Sequence, residues 1–267
     1  MIGIACVDNN WGIAKDGKLL FHNKEDMKFF KQQTETNAVI YGNNTLKSFP
    51  GMKPLKNRLN VVYTRDFDNI PKEAIEAADL VYRINSVNHL MPGLIPDVDW
   101  TLIKGEYLYE LYKDTYMMTD CLTHITLELR DIALNDNLTI LVITTNLRDA
   151  VLIPRVFGYS LDDTYSLSGE GKGSTFVIGG EYIYDKLIPY CNKCYITKMN
   201  ENKNADQFFP NLDTKEWNIK ASYRNAVGAT KVSFKYESDV EDKDIKIAIY
   251  TRNIKYSNLL SDNLQWI

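Results

Sequence analysis

Twice in this chain an unbroken apolar run ends in glycine and passes straight into a helix-forming segment. The first is Ala38-Val-Ile-Tyr41, then Gly42, then a short helix opening at Asn43-Asn44-Thr45. The second is Ser174-Thr-Phe-Val-Ile178, then Gly179-Gly180, then a helix over 181–188. Strands with continuous apolar stretches such as Ala38–Tyr41 and Phe176–Ile178 need cover on both faces, and the alternating helices supply it, so an α/β architecture follows. Glycine lets a ligand approach the backbone, and a helix N-terminus offers free N–H groups and a partial positive charge. An anion is the expected guest. Further strands are expected at residues 2–7, 59–64, 194–198 and 245–251.

Composition narrows the function classes. With 31 basic and 35 acidic residues the net charge is −4, so no basic excess exists to neutralise a nucleic-acid backbone. No apolar run approaches the roughly 20 residues that cross a bilayer. The N-terminus, MIGIACVDNN, lacks the basic lead and long apolar core of a secretory signal and reads as a first strand. Four cysteines among 267 residues are too few for a disulfide scaffold, which makes a reducing cytoplasm the expected location.

Three local motifs carry less than their spelling suggests. Gly169-Glu-Gly-Lys-Gly-Ser-Thr175 looks like a phosphate loop, but Gly173 follows Lys172 where Ser or Thr is needed, and the segment precedes a strand. It reads as a flexible linker. Cys191-Asn-Lys-Cys194 has redox spacing but follows a helix instead of opening one, so it reads as packing cysteines. Scattered His22, His89 and His124 make no metal site, and none is expected.

The segment Asn23-Lys-Glu-Asp-Met-Lys-Phe-Phe-Lys-Gln-Gln reads as a helix. Asn23 is its N-cap, Glu25 and Asp26 suit the first turn, and Met27, Phe30 and Lys31 share a face. Asp26 is thereby set beside a large aromatic. The stretch 91–173 differs from its flanks: it enters through Pro-Gly-Leu-Ile-Pro and exits through a Gly/Ser-rich run. Between lie helix-like stretches at 106–118 and 122–134 and a strand-like run at 138–144. It is expected to be an insertion, folded as a small subdomain or docked on the body.

Taken together, the blocks resemble dihydrofolate reductase. They are Val7-Asp-Asn-Asn-Trp-Gly-Ile-Ala-Lys-Asp-Gly-Lys-Leu-Leu-Phe-His-Asn-Lys-Glu-Asp-Met-Lys-Phe-Phe-Lys31, Val39-Ile-Tyr-Gly-Asn-Asn-Thr-Leu-Lys-Ser-Phe-Pro50, Leu55-Lys-Asn-Arg-Leu-Asn-Val-Val-Tyr-Thr-Arg65 and Phe176-Val-Ile-Gly-Gly-Glu-Tyr-Ile-Tyr-Asp-Lys-Leu-Ile-Pro189, then Cys194-Tyr-Ile-Thr197 and Ala205-Asp-Gln-Phe-Phe-Pro210. Their order is the family's order. The resemblance covers about 1–90 and 174–251; it implies one domain built from those two segments around a central mixed, mostly parallel sheet flanked by helices. The insertion is 91–173, and 252–267 forms a C-terminal extension.

The resemblance also implies a reaction and its residues. Hydride passes from NADPH to 7,8-dihydrofolate, and antifolates such as methotrexate are expected to bind. Asp26 takes the place of the ionisable group that orients the pterin and supports its protonation, with water delivering the proton. Burial beside Phe30 and Met27 is expected to raise its pKa. Thr197 is expected to hold Asp26, and Phe21 to complete the catalytic set. Phe30, Phe49 and Leu55 fall around the aminobenzoyl ring, Arg58 grips the glutamate α-carboxylate, and Ile2, Ile4, Met27, Ser48, Ile178, Tyr184 and Thr197 complete the substrate contacts. The cofactor set is Ile4, Ile13, Ala14, Leu19, Gly42, Asn43, Asn44, Thr45, Tyr63, Thr64, Arg65, Ile178, Gly179, Gly180, Glu181, Tyr182 and Ile183. Ala14 replaces the family's usual glycine, and Leu20 and Phe21 its usual proline and tryptophan. Two other readings stand beside this one: a same-fold pyrimidine reductase of riboflavin synthesis, and an idle scaffold whose insertion binds a partner. Asp26 with Arg58 weighs against the first; retention of Asp26, Arg58, Thr197 and the diglycine weighs against the second.

Overall fold

The computed structural model describes residues 1–88, 97–104, 137–161, 173–224 and 246–253. They form two compact units, one from 1–34 and 177–253, the other from 35–176.

In the first unit, β1 (Ile2–Val7) lies between β9 (Thr175–Gly179, which crosses the unit boundary) and β10 (Lys193–Lys198). β1 runs parallel to β10, with Ile4 opposite Tyr195 and Cys6 opposite Thr197. Antiparallel β13 (Lys246–Arg252) and β12 (Trp217–Arg224) complete the order β12-β13-β10-β1-β9. A small second sheet joins β2 (Gly12–Lys15) to β3 (Lys18–Leu19) and β11 (Gln207–Phe208). α1 (Lys24–Thr34) starts where the Asn23 side chain accepts the N–H groups of Glu25 at 2.8 Å and Asp26 at 3.2 Å. Those bonds satisfy donors that the first helical turn leaves open. α5 (Glu181–Leu187) follows β9 through Gly180 at φ +85°, a conformation that favours glycine.

In the second unit, β4 (Ala38–Gly42), β5 (Leu59–Tyr63), β8 (Ile140–Thr144) and β6 (Leu80–Asn88) are parallel neighbours in that order, and β7 (Asp97–Lys104) adds an antiparallel edge. Val39, Ile40, Val61, Val62, Leu141 and Val142 are fully buried, as expected of strands covered on both faces. α2 (Asn43–Ser48) packs on β4 and β5, and α4 (Leu147–Val156) packs on β5, β6 and β8. α3 (Lys72–Ala77) precedes β6. Asn146 caps α4 by accepting the Arg148 N–H. Apart from the small β11-β2-β3 sheet, which is antiparallel, the strand pairing is mixed and mostly parallel, the class expected.

One boundary drawn from sequence meets a difference. The expected insertion, 91–173, contains β8 and α4, and β8 pairs with β5 through Leu59↔Ile140 and with β6 through Leu80↔Ile140. This strand is apolar on both faces and has a neighbour on each side, so it is part of the unit's core. The expected helices at 106–118 and 122–134, the 166–172 linker, Cys121, His89, His124 and the extension beyond 253 lie outside the described residues.

Candidate active site

The first unit gathers the residues expected around the pterin. Asp26 projects from the first turn of α1 and is half-buried. Desolvation raises its pKa from the ordinary carboxylate value, and a hydrogen bond with the Thr197 side chain opposes that shift. Thr197 sits in β10 and is almost fully buried. Ile2 and Ile4 are buried in β1, Ile178 in β9 and Tyr184 in α5; Phe30 is half-buried. The Tyr184 hydroxyl donates to the Ile4 carbonyl at 2.8 Å, and burial, with the nearby acidic groups Cys194, Asp26, Cys191 and Cys6, holds the phenol protonated.

Met27 differs from its expected place as apolar cover. It is 50% exposed, because the residue after Asp26 on a helix points about a quarter-turn away.

Sequence reasoning passed over Cys6. Cys6 is half-buried, its thiol near enough to Asp26 for the carboxylate to act on it, and desolvation followed by that charge pushes its pKa well up. A signal existed: Ile2, Ile4 and Cys6 occupy alternate positions of one strand and so share a face.

The loop after β1 is pinned by two carboxylates. Asp8 is 2% exposed; its Oδ1 accepts the N–H groups of Asn10 and Gly12, both at 2.8 Å, and its Oδ2 that of Lys203 at 3.2 Å. A Cβ on Gly12 would come within 2.4 Å of the Ala205 Cβ, so glycine is required there. Farther along, the Asp206 N–H donates to the Ala14 carbonyl at 3.1 Å and its Oδ2 accepts the Asp16 N–H at 2.8 Å. Ile13, Ala14 and Phe21 are buried, with the Lys203 Nζ 4.6 Å from the Phe21 ring centre, while Leu19 is exposed. Neither Asp8 nor Asp206 was among the sequence-derived site residues.

At the end of β9, Gly179 and Gly180 lead into α5, whose start has no side-chain cap. Ile183 is buried; Tyr182 and Glu181 are exposed, and the Glu181 Oε1 accepts the Phe208 N–H at 3.0 Å.

The second unit holds the remaining expected residues. Gly42 ends β4 and opens α2, again with no side-chain cap. Asn43 is buried, its Nδ2 donating to the Asn69 carbonyl at 3.0 Å, while Asn44 is exposed and Thr45 half-buried. The Ser48 hydroxyl donates to the Thr45 carbonyl at 2.7 Å, and the Phe49 ring tilts on Tyr41 with centres 5.2 Å apart. Leu55 and Tyr63 are half-buried. Arg58 is 6% exposed and donates to the Lys56 carbonyl at 2.8 Å; burial lowers its pKa, and Glu35 and Tyr41 act against that. Thr64 is buried with its hydroxyl donating to the Asp66 carbonyl at 2.7 Å, and Arg65 beside it is exposed.

Cys191 and Cys194 are buried free thiols, and no three His, Cys, Asp or Glu side chains gather to hold a metal among the described residues. Within the same residues no helix is long and apolar enough to cross a membrane.

The family model described as dihydrofolate reductase matches in two segments, residues 1–133 and 126–239. A dihydrofolate reductase of Schistosoma mansoni is 34% identical over 140 residues, covering 47% of this chain and 72% of that protein. One of Heliothis virescens is 24% identical over 229 residues, 82% of each. A solved dihydrofolate reductase from Enterococcus faecalis, complexed with NADP(H) and RAB-propyl, aligns over 94% of this chain and 95% of its own at a TM-score of 0.50 and 21% identity, a likeness of fold. With that family model matching in two segments that together cover residues 1–239, the chain belongs to the dihydrofolate reductase family, enzymes that reduce dihydrofolate to tetrahydrofolate.

Proposed function

We propose that this chain carries out the family's reaction with NADPH as reductant and Asp26 as its ionisable substrate-orienting group. The observation that carries the reading is the half-buried Asp26 carboxylate, raised in pKa by desolvation and tied to the Thr197 side chain. A carboxylate in that state accepts hydrogen bonds from the pterin's 2-amino group and ring nitrogen, and its charge favours the protonated pterin. Thr197 fixes its rotamer, and water delivers the proton. Tyr184 stays neutral and closes the floor beside Ile4. Arg58 takes the α-carboxylate of the glutamate tail through its fork of N–H donors. Phe49 and Leu55 are the apolar contacts of the aminobenzoyl ring.

The residues present suit the cofactor. Gly180 at φ +85° and the uncapped starts of α5 and α2 leave main-chain N–H groups for phosphate oxygens. NADPH when bound supplies the hydride. Ile13, Ala14 and Phe21 exclude water from beside it, Asp206 holding Ala14 and Asp8 holding Gly12. Free thiols at Cys6, Cys191 and Cys194 suit a cytoplasmic location.

The test is the fall in absorbance at 340 nm with NADPH and dihydrofolate. A fall that methotrexate abolishes is expected. No fall, or one indifferent to methotrexate, contradicts the reading.

A further inference from the structure

Asn60 interrupts the apolar strand β5 and is completely buried, yet its side-chain amide is fully bonded. Oδ1 accepts the Leu55 N–H at 2.9 Å and the Tyr41 hydroxyl at 2.9 Å. The two hydrogens of Nδ2 serve the carbonyls of Leu55 at 2.9 Å, Arg58 at 3.1 Å and Ile140 at 3.3 Å, one of them shared. Both main-chain polar groups of Leu55 are therefore matched by one side chain, as a neighbouring strand would match them.

The other main-chain bonds of this loop lie at its far end, where the Asn57 carbonyl accepts the Thr36 N–H at 3.1 Å, the Asn57 N–H donates to the Thr139 hydroxyl at 3.1 Å and the Arg58 carbonyl accepts the Ile140 N–H at 3.0 Å. Pro54 is buried, Asn57 stands at φ +56°, and the Lys56 carbonyl receives Arg58 Nη1. Tyr41, also fully buried, lies close enough to Arg58 for the guanidinium charge to act on its phenol, and its ring carries Phe49. Volume alone does not explain this arrangement. A buried amide and phenol are costly unless every polar atom is met, and Phe and Val would fill the same space without that demand. A saturated buried network selects one loop geometry.

We infer that Tyr41 and Asn60 are positioning residues for the substrate's tail: they hold the 55–58 loop so that Leu55 and Arg58 meet the aminobenzoylglutamate. This rests on the assignment of Arg58 to the tail carboxylate made above. They act through Arg58 and Leu55 and have no part in hydride or proton transfer.

The experiment compares two substrates, dihydrofolate and 6-methyl-7,8-dihydropterin, which lacks the tail. Tyr41→Phe keeps the ring and removes one hydrogen bond. It should raise KM for dihydrofolate roughly threefold to tenfold, the range of one buried hydrogen bond, with kcat little changed. With the tailless pterin, kcat/KM should match the parent enzyme. Asn60→Ala should show the same pattern more strongly where it folds, and Tyr41→Phe decides the matter where it does not. Equal losses on both substrates, or no loss on dihydrofolate, overturn the inference. Arg58→Leu run alongside separates the two layers. If it discriminates between the substrates and Tyr41→Phe does not, the positioning role alone falls. If Arg58→Leu treats both substrates alike, the carboxylate assignment falls and the inference with it.

Discussion

The Thr197 side chain hydrogen-bonds the Asp26 carboxylate, so a buried residue of β10 fixes a charged group on α1. The bond lowers the pKa of Asp26 while desolvation, the larger effect, raises it.

That balance gives a stability prediction. A carboxyl whose pKa is higher in the folded chain than the unfolded value near 3.9 binds its proton more tightly when folded. The folded state is therefore favoured at low pH and loses that advantage as pH rises through the raised pKa. Asp26→Asn removes the charge, so in the absence of ligands it should melt above the parent at pH 7. The gap should close as pH falls below about 4. Thermal melts across pH 3.5–8 check this; a variant less stable than the parent at pH 7 would show that the carboxylate is not held under strain.

Gly180 is the second position where a small change should be costly. At φ +85° and ψ 124° a side chain is strained. Gly180→Ala should cost about 1–3 kcal/mol, the range for a non-glycine residue in such a region. It should also weaken NADPH binding, because α5 must shift to relieve the strain. Melting and cofactor titration both report it, and an unchanged NADPH affinity would remove the diglycine from the cofactor site.

Arg65 is the expected reader of the cofactor's 2′-phosphate, since Asn43 and Asn44 supply no cation and the Thr64 hydroxyl is bound to Asp66. Arg65→Ala should lower kcat/KM for NADPH by about one to two decades, the worth of one charge-assisted contact, and spare NADH. Equal losses with both cofactors would show that Arg65 does not read the phosphate.

The position of β8 alters what a deletion should do. Replacing residues 92–172 with a short linker removes Ile140–Thr144 from between β5 and β6 and removes α4 from their face. Such a chain is expected to be insoluble or unfolded by circular dichroism. A soluble deletion with reductase activity would show that β8 and α4 are dispensable.

What was legible in the sequence was local. Asn23 before Glu25 and Asp26 gave the start of α1, and the diglycine after an apolar run gave the β9–α5 turn, because caps and glycines act over a few residues. The run at 138–144 was legible as a strand, but its partners were not, since they lie some 60 to 80 residues away and pairing is decided by tertiary packing. The same distance hid Asp206, whose bonds to Ala14 and Asp16 span about 190 residues. Cys6 and Asn60 did leave signals: one shares a strand face with two chosen residues, and the other is a lone amide in an apolar strand.

The central claim is that Asp26 orients and helps protonate the pterin, and turnover of Asp26→Asn against pH tests it most directly. Near neutrality kcat with dihydrofolate should fall roughly 10²–10⁴-fold, the usual worth of a positioned acid–base group. Much of the loss should return at low pH, where solvent protonates the substrate. Turnover near the parent value at pH 7, or a loss that low pH does not relieve, would contradict the account.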